Sequence, residues 1–155
     1  MSGVVRADAL AVEVAGVLRL VRGLRAVLVN VGHGRDEADV ARATAFAEAW
    51  QDAGGQVGVV VSWPARAASW LRPACRLASG APDAWVVAEG AAGWVGIGGR
   101  LAATAWRAPR TVAFPGLADP DLPALAGLDA VEGLRGVTTG GGDWAFLDGE
   151  LRVRG

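Results

Sequence analysis

Hydrophobic positions along this chain follow two periods that take turns. Over residues 8–23, Leu10, Val14, Val17, Leu18 and Val21 recur at helical spacing and predict an amphipathic helix that ends at a glycine. "RAVLVNV" at 25–31 is a continuous apolar run, the pattern of a strand buried on both faces. After the polar turn "GHGRDE", the Ala-rich "ADVARATAFAEAWQDAGG" predicts a second helix with Val40, Phe46, Ala47 and Trp50 inward and Gly54 as its stop.

The unit then repeats. "QVGVVVSW" reads as a second strand, "PARAASWLRPACRLASG" as a helix disturbed at its middle by Pro73, and "DAWVVAEG" as a third strand. "AAGWVGIGGRLAATAW" predicts a glycine-interrupted helix and "RTVAFPG" a fourth strand. The tail breaks this rhythm: "LRGVTT", "DWAFLD" and "ELRVRG" are short apolar runs, and Asp148-Gly149 between the last two is a hairpin signal. Strands alternating with helices imply an α/β fold: an open, mostly parallel sheet in a three-layer αβα sandwich, closed by a C-terminal antiparallel hairpin. One domain over 1–155 is expected, and a chain of this length buries about two thirds of its unfolded surface.

Composition narrows the chemistry. All 15 basic residues are Arg, without a dense basic patch, and net charge is −1, so nucleic acid is not an expected partner. The lack of Lys excludes a P-loop lysine and any Schiff-base chemistry. The lack of both Lys and Tyr in an Ala-, Gly-, Val- and Arg-rich chain reads as the base-composition bias of a GC-rich bacterial genome. Cys75 has no second cysteine, and His33 is the only histidine, so no zinc or iron–sulfur set is expected. Cys75 itself is expected to be a buried, inert thiol among apolar helix neighbours. The N-terminal apolar stretch is broken by Asp8 and Glu13, which fits neither a signal peptide nor a membrane span, and a cytoplasmic location is expected.

Ligands of open α/β sheets bind beyond the carboxyl ends of the strands, where residues 32–37, 62–66, 89–93 and 115–121 should gather. "VGHGRDE" offers two glycines, His33 and Arg35 before a helix N-terminus, an arrangement able to hold an anion. Its competing reading is a simple turn with Asp36 as helix cap. It falls short of a dinucleotide fingerprint, because Glu37 stands where a third small residue belongs. His33 has no nucleophile with matching surroundings, and no catalytic set assembles. "GWVGIGG" is explained as well by close helix packing as by a ligand. Trp63 and Trp94 lie near strand ends, and Glu89 follows a buried strand at the binding edge. Ligand contacts are expected from His33, Arg35, Trp63, Glu89, Trp94 and Asp119, with no cofactor and no metal.

The run "AVLVNVGHGRDEADVARATAFAEAWQDAGGQVGVVVSW", "GAPDAWVVAEG" and "TVAFPGLADPDLPALAGLDAVEGLRGVTT" resembles the second lobe of type 1 periplasmic solute-binding proteins of the branched-chain amino acid and amide receptor group. The resemblance extends over 1–139 and leaves the hairpin of 140–155 without a counterpart. It implies that the connector over 117–134 forms a short helix and loop beside a cleft, and that a strand follows at about 134–138. In that family an aromatic after the third strand and an acid after the fourth hold a ligand's amino group. The matching positions here are Gly90 and Pro115, so amino-acid recognition does not carry over. With one lobe in view, a homodimer or docking on another subunit is expected to cover the face a partner lobe would meet. Three readings follow: a non-enzymatic small-molecule-binding or sensing domain, an accessory subunit without ligand, and a dinucleotide- or flavin-binding enzyme domain.

Overall fold

The computed structural model describes residues 2–155, with side chains from residue 7 onward. Its elements run α1 (Ser2–Gly23), β1 (Leu28–His33), α2 (Glu37–Asp52), β2 (Gln56–Ser62), α3 (Leu71–Leu77), β3 (Ala84–Ala88), α4 (Ala91–Leu101), β4 (Thr111–Ala113), α5 (Leu122–Ala126), β5 (Arg135–Val137), β6 (Asp143–Leu147) and β7 (Glu150–Arg154). Short 3-10 turns at Ala108–Arg110, Pro115–Leu117 and Leu128–Ala130 complete the connections. The strands form one sheet in the order β2-β1-β3-β4-β5-β6-β7. Pairing is parallel from β2 to β5 and antiparallel from β5 to β7. The expected α/β sandwich with its terminal hairpin is therefore present.

Each face of the sheet carries its own core. α1 and α2 cover one face through Val14, Val17, Val21, Phe46 and Trp50, packed on Val29, Val31, Val86 and Val112. α3, α4 and α5 cover the other through Leu77, Trp94, Ile97, Leu101 and Leu122, packed on Trp85, Val87, Trp144 and Phe146. β3, "AWVVA", is buried at every position because alternate side chains feed opposite cores. Asp148 and Gly149, at φ 55° and 75°, make the two-residue turn that Asp-Gly favours.

Buried Asn30 resolves two backbone problems at once. Its amide donates to the carbonyls of Leu77 and Ser79 at 2.8 Å each, satisfying the C-terminal end of α3. Its Oδ1 accepts from the Val59 N–H at 3.2 Å, where β2 bulges between the partners of Val29 and Val31. One polar side chain inside an apolar strand thus ties an edge strand to a helix.

Several boundaries differ from the pattern-based expectation. α1 starts at Ser2 rather than near residue 8. α2 turns Asp39, Ala43, Phe46 and Trp50 inward, a set at helical spacing that leaves Val40 40% exposed. The reason is an ion pair: Arg42 Nε donates to Glu13 on α1 at 2.8 Å, and its other nitrogen lies 3.3 Å from Asp39. Residues 64–70 form no helix. Pro73 is the third residue of α3, inside the first turn, where a missing N–H leaves no hydrogen bond unmade, so it helps to start the helix rather than disturb it. α4 ends at Leu101, short of Trp106. Cys75 is exposed, on the outer side of α3 whose inner side carries Ala74 and Leu77, which corrects the expectation of a buried thiol. Among the described residues no helix is long and apolar enough to cross a membrane.

Candidate functional site

Strand order reverses at β1, which lies between β2 and β3, so the loops leaving β1 and β3 diverge to opposite faces. Such a switch point is where open α/β sheets take their ligands, and here Gly34 and Glu89 pack against each other at it. Gly34 N–H bonds to the Ala88 carbonyl at 3.0 Å and continues the β1–β3 ladder into the loop. Glu89 is the first residue after β3 and is 7% exposed. Trp63 Nε1 donates to its Oε2 at 2.8 Å, and the Gly90 N–H, at the N-cap of α4, donates to its Oε1 at 2.8 Å.

The surroundings of that carboxylate are cut to fit it. A Cβ on Gly34 would stand 2.5 Å from Oε2, and one on Gly93, in the first turn of α4, would also collide with the carboxylate. Gly32 on β1 likewise leaves room for the Trp63 ring, which a Cβ would meet at 2.6 Å. Gly116, after β4, comes close against the main chain of Glu89 and Gly90. Burial pushes the Glu89 carboxyl above its usual range; the bonds from Gly90 and Trp63 oppose the shift, and the charges of Asp39 and Asp36 add to it. Two donors leave lone pairs on the carboxylate for further hydrogen bonds.

The residues singled out from the sequence are distributed unequally around this switch point. Trp63 and Glu89 are in direct contact. His33 ends β1, half-buried, with Nδ1 2.6 Å from the Gly34 carbonyl. Arg35 is exposed on the following turn. Asp36 occupies the N-cap of α2 without a side-chain capping bond. Trp94 is fully buried and donates to the Ala130 carbonyl at 3.0 Å, so it backs Trp63, with ring centroids 6.4 Å apart, instead of facing solvent. Asp119 sits on the connector after β4, where its carboxylate accepts from Asp121 N–H at 2.9 Å and shapes the turn before α5. That connector does hold a short helix and leads into β5. Sequence reading did not reach Gly34 and Gly93 as the space-makers for Glu89, or the Glu13–Arg42–Asp39 cluster. Among the described residues no group of three or more His, Cys, Asp and Glu side chains is placed to hold a metal ion.

No protein-family model and no curated protein matches the chain. Among solved structures, the crystal structure of a substrate-binding periplasmic protein from Ralstonia solanacearum is similar, with a TM-score of 0.60 at 16% identity over 77% of this chain. The matched part is 34% of that protein, so the chain corresponds to about a third of its length. At that identity the likeness establishes the fold.

Proposed function

We propose that this chain is a non-enzymatic small-molecule-binding or sensing module, equivalent to the second lobe of a type 1 solute-binding protein of the branched-chain amino acid and amide receptor group. Residues 1–139 act as the lobe and 140–155 as an added hairpin. The ligand sits over the β1–β3 crevice, bordered by His33, Arg35, Trp63, Glu89 and Asp119, with Trp94 behind. A facing surface, a second copy of the chain or another subunit, completes the enclosure.

The observation that carries this reading is Glu89: a buried carboxylate at the switch point, held by two donors and with acceptor capacity to spare. Such a group selects a ligand that donates hydrogen bonds, as an amide, hydroxyl or ammonium does. With Asp36 and Asp39 close enough to act on Glu89, the crevice disfavours an anion. The enzyme alternative loses its support from "GWVGIGG", because Gly93, Gly96 and Gly98 face Glu89, Trp70 and Trp94 at distances no Cβ tolerates. The accessory-subunit reading draws on the same carboxylate, which fills the crevice from within.

Native mass spectrometry of protein purified without denaturant separates the two. A reproducible extra mass on the wild-type chain, lost in Glu89→Gln, is the expected result. An empty wild-type chain across preparations overturns ligand binding in favour of the accessory role.

A further inference from the structure

The sheet carries a second concavity, away from the strand carboxyl ends. On the antiparallel part, Arg135 of β5, Ala145 of β6 and Arg152 of β7 stand in one cross-strand row, and Asp143 pairs with Arg154 in the next row but one along β6. Side chains in such rows project to the same face. The small Ala145 between two arginines leaves a slot, and the groove over it, of about 310 Å³, is lined by Leu20, Leu147, Asp143, Arg135, Arg152 and Arg154.

Its charge is unbalanced. Asp143 is already engaged by Arg19 of α1. Arg154 has no ion pair among the described residues, and Arg152 reaches only the exposed Asp148 and Glu150, at 3.8 and 3.9 Å. Arg135 lines the groove, and its Nε is buried without a hydrogen-bond partner in the chain. Guanidinium forks match the geometry of phosphate and carboxylate oxygens, and Leu20 and Leu147 supply apolar walls.

We infer that this groove binds a small multivalent oxyanion, a compact phosphorylated or polycarboxylate metabolite, between Arg135 and Arg152 over Ala145. The site is independent of the crevice at Glu89. Ligand bound only to the folded chain raises its unfolding temperature. The probes are pyrophosphate and citrate, each compared with sodium chloride at matched ionic strength in thermal unfolding of the whole chain. The expected result is a saturable rise in midpoint with at least one probe, with the responding probe assigning phosphoryl or carboxylate chemistry. Arg152→Ala, at an exposed side chain, should weaken the apparent affinity at least tenfold, and so should Ala145→Leu, which fills the slot without changing charge. No rise beyond chloride with either probe overturns the inference, as does a rise that persists undiminished in both variants.

Discussion

Glu89 concentrates the consequences that a single side chain can have here. Its pKa in the folded chain is raised, so the native state holds the proton more tightly than the unfolded chain does. Stability from this group is fully present below the ordinary carboxylate range and is lost as pH rises through the raised value. Glu89→Gln should flatten the fall in stability between acid and neutral pH in urea unfolding. Asp39, raised by burial against the opposing charge of Arg42, adds slope of the same sign, while Asp83, held low by the N–H groups of Leu28 and Val27, contributes the opposite sign at more acid pH. Glu89→Ala leaves the Trp63 Nε1–H and the Gly90 N–H without their acceptor and should cost about 1–3 kcal/mol. Cys75 gives a simpler test of placement: a maleimide should label it stoichiometrically in the native protein without denaturant. Glu89 and Trp63 were legible from the sequence because position at a strand end follows from the apolar runs. Asp39 was not, because a polar residue inside a helix stripe is explained only by Arg42 and by Glu13, which lies on another helix.

At the scale of the element, α4 separates two uses of glycine. Gly93, Gly96 and Gly98 each have a neighbouring side chain where a Cβ would go, whereas Gly99 is exposed and has nothing within 4 Å. Gly99→Ala should therefore stabilise the protein by about 0.5–1 kcal/mol, through helix propensity and a less free unfolded chain. Gly96→Ala, which meets the Trp70 ring at 2.6 Å, should destabilise it by about 1–3 kcal/mol. Both are read from denaturant midpoints at constant slope. The sequence pattern "GWVGIGG" showed that this helix is unusual, yet which glycine is needed depends on Glu89, on the Trp70 ring just ahead of α3 and on Trp94 of α4 itself. α3 shows the same limit. Its apolar content suited a long helix, but its start is fixed by Pro73 and by Trp70, whose indole donates to the Pro64 carbonyl and holds 64–70 in an irregular turn.

For the molecule as a whole, the alternation of periods was enough to recover the layers, the parallel strands and the terminal hairpin. The sheet order came only with the structure, since β1 lies inside the sheet, between β2 and β3, although it is the first strand in the chain. The two borders of that sheet are chemically unequal. β7 presents Glu150, Arg152 and Arg154, charges that discourage a further strand, while β2, "QVGVVVS", has no charge and no proline. Association along the sheet is consequently self-limiting. Two copies joined β2 to β2 across a two-fold axis would leave only guarded borders outside and so would close as a pair rather than polymerise. Sedimentation velocity over rising concentration should show nothing larger than a dimer. A ladder of higher species would mean that β7 is less well defended than its charges indicate.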